Sequence, residues 1–391
     1  MPHFWEKLPK PFFALAPMAD VTDAAFRRMI AKYGKPDVTW TEFVSADGLA
    51  SHGREVLKRD LVYTEEERPI VAQLFSSHPE KMREAARLCA ELGFDGIDIN
   101  MGCPDRSIEK QGAGAAMIKT PDIARAVIEA AKEGIADAGK NIPVSVKTRV
   151  GYNQVQLKEW IPFLLSCDIA ALTVHARTRK EMSKVPARWE HIKEVVAIRD
   201  RMGVSTKIIG NGDVRDVSHG KALAHETGCD GIMIGRAIFG NPWLFATVAC
   251  AKHPSNSERP VSFFSRLSNL FFNKVHGSST FATQSRDSAD RRECVAENAQ
   301  IKNDTGTASE DTHKYWLHAT SVVPIRERLR VMVEHTKLFM ELLGDIKSFA
   351  IMKKHYKAYV NGFDGAKELR VKLMEAKDAR EVEDITREFL D

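Results

Sequence analysis

Gly96-Ile97-Asp98-Ile99-Asn100-Met101-Gly102-Cys103-Pro104-Asp105 starts as a buried strand and ends as a turn. Ile97 and Ile99 are β-branched and apolar, and Asn100 closes the run. The turn carries Cys103 between Gly102, which can take backbone angles other residues avoid, and Pro104, which fixes the exit direction. A second glycine-rich piece, Gln111-Gly112-Ala113-Gly114-Ala115-Ala116-Met117, follows. The plain structural reading is a buried cysteine at a strand end, since free Cys is among the most buried residue types.

Working outward, short apolar runs alternate with amphipathic stretches from residue 12 to about 250. Candidate strands are 13–16, 38–42, 70–75, 97–100, 144–148, 171–175, 207–210 and 231–234. Helical patterns fill most of the gaps, at 79–92, 120–138, 189–202 and 216–227 among others. Pro79-Glu80 and Pro121-Asp122 look like helix starts, and Gly93 and Gly228 like helix stops. Strands alternating with helices imply a parallel sheet, and eight such units fit a closed α/β barrel, a (β/α)8 TIM barrel. Polar residues gather where strands end: Met18 and Asp20, Glu42, Gln73, Asn100 and Cys103, Lys147 and Arg149, His175 and Arg177, Asn211 and Asp213, Gly235 and Arg236. In a barrel those ends converge on one face, where active sites sit.

The 391 residues exceed one barrel. Residues 1–251 are read as the barrel and 252–321 as a polar insertion, expected to be partly disordered. Within the insertion Phe263, Phe264, Leu267, Leu270 and Phe271 recur at helical spacing, read as a short helix docking on its own protein. Residues 322–391 are helical throughout and read as a small bundle. One of its stripes is Leu329, Met332, Val333, Thr336, Met340 and Leu343, with Arg326, Arg330 and Lys337 on another face. Lys353-Lys354-His355-Tyr356-Lys357-Ala358-Tyr359 joins basic and aromatic residues, read either as a solvated face or as an RNA contact.

Net charge is +4 with a pI near 8.6, which permits a nucleic-acid partner without demanding one. The six cysteines form no CxxC pair, no metal site is expected, and no signal segment is visible, so a reduced cytoplasmic setting is expected. No apolar run approaches the roughly 18 residues of a membrane span.

Asn211-Gly212-Asp213 and Gly235-Arg236 follow the last two strands, where barrels often hold phosphate. The two glycines let backbone N–H groups approach an anion, Arg236 supplies a fork, and Asp213 is a candidate helix cap. Lys147 pointing into a barrel mouth calls for an anion or an electron-rich ring. Gln73 offers an amide to the edge of a planar heterocycle, and Pro17-Met18-Ala19 a flat apolar surface. Together these describe a flavin mononucleotide (FMN) site; no GxGxxG follows a strand, which argues against a Rossmann site. Cys103 then lies across the mouth. With a pKa near 8.5 a thiol stays protonated and donates a proton; as a nucleophile it needs a basic neighbour, for which Arg106 and Lys110 are near in sequence.

The chain resembles the tRNA-dihydrouridine synthases. The motifs are Ala16-Pro17-Met18-Ala19-Asp20-Val21-Thr22-Asp23, Asn100-Met101-Gly102-Cys103-Pro104, Gly112-Ala113-Gly114-Ala115, Val146-Lys147-Thr148-Arg149, His175-Ala176-Arg177-Thr178-Arg179, Asn211-Gly212-Asp213 and Gly235-Arg236. The resemblance implies FMN as prosthetic group, NADPH as reductant, and reduction of the C5–C6 bond of particular uridines in tRNA. It implies Cys103 as proton donor, and Pro17, Met18, Ala19, Gln73, Lys147, His175, Asn211, Asp213, Gly235 and Arg236 as flavin ligands. Asn100 and Arg177 are similar to positions that touch the target base, and the helical tail is similar to the part that holds tRNA. No obligate protein partner is evident. Two features depart from the family pattern: Lys180-Glu181-Met182-Ser183-Lys184-Val185-Pro186 replaces an expected Gln, aromatic and glycine, and the insertion from about 253 has no counterpart. A small-metabolite FMN barrel and a non-catalytic RNA- or phosphate-binding barrel are the competing readings.

Overall fold

A computed structural model describes residues 3–246 and 323–391. Among them eight strands form one parallel sheet: β1 (Phe12–Leu15), β2 (Thr39–Ser45), β3 (Ile70–Phe75), β4 (Gly96–Met101), β5 (Val144–Arg149), β6 (Ala171–His175), β7 (Lys207–Asn211) and β8 (Gly231–Ile234). Their spatial order is β1-β8-β7-β6-β5-β4-β3-β2, and Ala14 bridges Val38 beside β2, so the ring closes. This is the expected barrel, with most strands within one or two residues of their expected bounds.

The helices on the outside are α1 (Ala24–Tyr33), α2 (Pro79–Glu91), α3 (Pro121–Asp137), α4 (Leu157–Leu165), α5 (Glu190–Met202) and α6 (Val217–Thr227). Pro79 and Pro121 do stand in first turns, and Gly228 ends α6 in the left-handed conformation with φ 74°. The β2–β3 connection carries only short turns, at Ala46–Leu49 and Arg54–Leu57 among them. Apolar residues at the strand starts fill the barrel interior, with Trp5, Phe12, Trp40 and Val71 in one cluster. Polar side chains therefore collect at the opposite, C-terminal ends.

Gly102 departs from its expected conformation, for it is not among the residues with positive φ. Glycine is required there by close approach: a Cβ would stand 3.2 Å from Thr148 Cα on β5. In the second glycine-rich piece Gly112 and Gly114 are left-handed, with φ 75° and 60°.

The tail forms α7 (Ile325–Leu343), α8 (Met352–Tyr359), α9 (Ala366–Glu375) and α10 (Ala379–Leu390). Leu329, Met332, Phe339, Leu343, Met352, Tyr356, Leu373 and Val382 share one core. Ala25 and Met29 of α1 belong to that same core, while Phe26 and Ile30 of α1 face the barrel. Lys347, just past α7, reaches the barrel mouth and pairs with Glu42 at 2.7 Å and Asp60 at 3.1 Å. Lys353–Tyr359 resolves into two faces: His355, Tyr356 and Tyr359 are core, and Lys354 and Lys357 are exposed. The insertion at 252–321, with its apolar stretch at 263–272, lies outside the described residues. Among the described residues no helix is long and apolar enough to cross a membrane.

His335 on α7 and His355 on α8 are fully buried, 4.6 Å apart between ring centroids, and both approach Phe26 of α1. Burial holds His335 well below its ordinary pKa and lowers His355 to about 3. Both rings are neutral in the folded protein at pH 7, while the unfolded chain takes up protons below about 6.5. The unfolded state then binds more protons, so stability is fully present above pH 6.5 and falls as pH drops towards 3. Urea unfolding at stepped pH is expected to show this slope, and His355→Phe, which cannot protonate, to flatten part of it.

Candidate active site

The Cys103 turn is held from three sides. Asn100 Oδ1 accepts the backbone N–H of Gly102 at 3.1 Å and of Cys103 at 2.9 Å. The Cys103 carbonyl accepts Ala115 N–H at 2.9 Å, and a Cβ on Gly114 would stand 2.8 Å from that carbonyl oxygen. The second glycine-rich piece is thus the backing of the cysteine turn. On the third side Arg149 Nε donates to Gly102 O at 2.7 Å, and its Nη1 reaches the carbonyls of Thr178 and Met182. From sequence Arg149 is one of the strand-end polar residues with no role of its own; its alternation with Lys147 on one strand is the signal that it faces the site.

Cys103 is half-buried. Burial pushes its thiol above the ordinary value; the Asp105 backbone N–H, Arg149 and Lys147 pull the other way, the Asp105 carboxylate opposes them, and burial wins. The thiol stays protonated at neutral pH, which suits a proton donor rather than a nucleophile. The cations that face it come from β5, not from Arg106 or Lys110.

Lys147 is paired in register with Asn100. Among the described residues its Nζ has no hydrogen-bond or ion-pair partner within reach. Burial and the neighbouring Arg149 lower its pKa to about 8, with Asp98 and Cys103 acting against them. Beside it, His175 ends β6 opposite Arg149 and Asn211. Burial first, then Arg149, Lys147, Arg177 and Arg236, hold His175 well below its usual range, so it is neutral.

Asp213 does not cap α6; Asp216 does, accepting His219 N–H at 2.7 Å. Asp213, in the left-handed region with φ 51°, instead joins Arg177, Arg236 (2.7 Å) and Ala187 N–H (2.9 Å). Arg177 is buried, with His175 Nε2 3.1 Å from its Nη1. Gly212 backs onto His175: a Cβ there would be 3.3 Å from His175 Cδ2. A Cβ on Gly235 would be 3.7 Å from Met18 Sδ, so the loop after β1 meets the loop after β8. Pro17 is half-buried and Ala19 exposed on that first loop. Asn211 spends its amide N–H on Met233 O, at 2.9 Å. Gln73 is fully buried: its Nε2 donates to Asp98 at 2.7 Å and its Oε1 accepts from Asn100 at 3.1 Å. Most of the site residues read from the sequence therefore share one rim, but Gln73, Asn100 and Asn211 are already engaged within the protein.

A flavin fits this donor set. Four cations and a neutral His175 surround the mouth, with Asp213 joined to two of them, and among the described residues the Lys147 ammonium makes no hydrogen bond. A phosphate and an electron-rich ring supply what such a rim lacks.

Residues 14–315 match the family model described as "Dihydrouridine synthase (Dus)". The chain belongs to the dihydrouridine synthase family. Probable tRNA-dihydrouridine synthase 2 of Bacillus subtilis (strain 168) is 46% identical over 245 residues, covering 62% of this chain and 74% of that protein. Probable tRNA-dihydrouridine synthase of Staphylococcus aureus (strain COL) is 44% identical over 245 residues, covering 62% and 73%. That of Staphylococcus epidermidis (strain ATCC 12228 / FDA PCI 1200) is 42% identical, with the same shares.

Within this family member the raised Cys103 pKa has a direct readout. Iodoacetamide modification of Cys103, followed by peptide mass spectrometry, is expected to be slow at pH 7. It should rise with pH along a curve whose midpoint lies above that of a free cysteine, about 8.5. A midpoint below 8 would show that Lys147 and Arg149 outweigh burial.

Proposed function

We propose that this chain reduces the C5–C6 double bond of uridines in tRNA, with FMN as bound flavin and NADPH as reductant. The observation that carries the reading is the placing of the Cys103 thiol, in a turn held by Asn100, and of Lys147, in register with that Asn100 and without a hydrogen bond among the described residues, at one barrel mouth. Lys147, Arg236 and the backbone at Gly212 and Gly235 would hold the cofactor's negative charge, and Met18 would lie against its apolar part. When bound, the flavin supplies a hydride. A hydride adds to the uracil carbon conjugated with the C4 carbonyl, which is C6. Cys103 Sγ–H then gives its proton to C5, and the protonated state favoured by burial keeps that proton available at neutral pH. By the family resemblance Arg177 and Asn100 would lie beside the base, Asn100 acting there through the Cys103 turn it already holds. The base must leave its stack to reach it.

The helical tail, 322–391, is proposed as the platform for tRNA shape and phosphates. In support, exposed Lys354 and Lys357 stand on α8, and Lys354 lies 3.4 Å from Asp20 on the loop after β1. The same reading takes the protein to be cytoplasmic, where a tRNA substrate is met.

Dihydrouridine in tRNA from cells lacking the protein is the decisive measurement. A loss at one or more positions is expected; unchanged dihydrouridine at every position would overturn the reading. In purified protein, Cys103→Ala should keep the flavin absorbance and NADPH oxidation while uridine reduction falls on the order of 10²–10⁴-fold.

A further inference from the structure

Asp98 is the group that no role above uses. It is fully buried on β4, two residues before Asn100, and accepts from Ser145 Oγ at 2.6 Å and from Gln73 Nε2 at 2.7 Å. From it a single line of hydrogen bonds runs to the cysteine: Gln73 Nε2 to Asp98, Asn100 Nδ2 to Gln73 Oε1, and the N–H groups of Gly102 and Cys103 to Asn100 Oδ1. We infer that Asp98 is the positioning residue of the site: its acceptor-only carboxylate fixes the line of amides from one end, as the two backbone N–H donors do from the other, and so holds the Cys103 turn.

The reason lies in the chemistry of the amide. Gln and Asn each have an oxygen end and an NH2 end, of nearly equal size, and packing alone does not choose between them. A carboxylate accepts only. Facing Asp98, Gln73 must offer its NH2, which leaves its oxygen towards Asn100. Asn100 must then offer its own NH2 to Gln73, which leaves its oxygen where two backbone N–H groups need it. Run in reverse, the Asn100 NH2 would face those N–H groups, donor against donor, and the turn would be released. Burial pushes the Asp98 carboxyl up to about 6, and Ser145, Gln73 and Lys147 restrain it, so at pH 7 it remains ionised.

Neither the line of bonds nor its direction depends on what the thiol does; only its purpose rests on the proton-donor reading. The test therefore reads the thiol, not turnover. Iodoacetamide modification of Cys103 is followed in the purified holoprotein by peptide mass spectrometry, with thermal midpoint and flavin absorbance as controls. Asp98→Asn is nearly isosteric but removes the acceptor-only end of the line, so that only the two backbone donors still oppose its reversal. It is expected to speed modification about fivefold or more, and Asn100→Ala to do the same. Because Asp98 acts through Asn100, the two effects are expected not to add in the double variant. Asp98→Asn with Gln73→Glu moves the acceptor-only group one step along, still facing the Asn100 NH2, and is expected to return the rate to within about twofold of the starting protein.

A wild-type rate in Asp98→Asn, or additive effects with Asn100→Ala, would overturn the assignment. If Asp98→Asn does not fold, the Asp98→Asn, Gln73→Glu protein decides: the assignment requires it to fold and to react at the wild-type rate, and failure in either counts against it. If instead Cys103→Ala retains uridine reduction while these modification rates behave as stated, the proton-donor reading fails and the positioning role stands.

Discussion

One oxygen atom, Asn100 Oδ1, holds two successive backbone N–H groups, and the mouth of the barrel is arranged around that fact. A strand that simply ended would leave those donors to water. Here they are turned inward and met by a side chain from the strand itself. The chain then has to pass close to β5, which is why position 102 carries no side chain. The cysteine that follows is consequently fixed relative to the register of β4 and β5, and Lys147 comes with it. Precision in the thiol is thus inherited from sheet hydrogen bonding rather than from a loop.

The electrostatics of the rim follow from burial competing with charge. Burial pushes up the Cys103 thiol and lowers the Lys147 ammonium, so both move towards their neutral forms, against their mutual attraction. His175 loses its proton for the same reason, with four cations adding to the effect. Asp213 answers Arg177 and Arg236 together, which keeps two guanidinium groups in place without consuming all their donors.

The barrel was legible because its signals are local and repeated: β-branched runs, proline at helix starts, glycine at stops. All eight strands came from that alternation, and only the end of β2 fell more than one residue from its expected bound. The family was legible in the motifs at strand ends. What pattern could not reveal was which partner each polar group chooses. Asp213 read as a helix cap from its place before a helix, but the cap is Asp216, three residues on, and Asp213 turns to Arg177 and Arg236. Gln73 read as a free amide because nothing in β3 shows that Asp98 on β4 lies beside it. Lys353–Tyr359 read as one basic and aromatic stretch, either a solvated face or an RNA contact, whereas helical periodicity puts His355, Tyr356 and Tyr359 on the buried face and Lys354 and Lys357 outside. Lys347 carried no signal at all: its partners, Glu42 and Asp60, lie some three hundred residues earlier.

Helix α1 gives one face to each of two cores. Phe26 and Ile30 belong to the barrel core, Ala25 and Met29 sit among the side chains of α7 and its neighbours, and Phe26 also stacks on His335 of α7. An excised barrel would therefore carry a bare apolar strip where its first helix had been covered, and an excised tail would lack part of its own interior. The boundary that sequence draws between catalytic and helical parts is not a place where the molecule can be cut into two soluble halves.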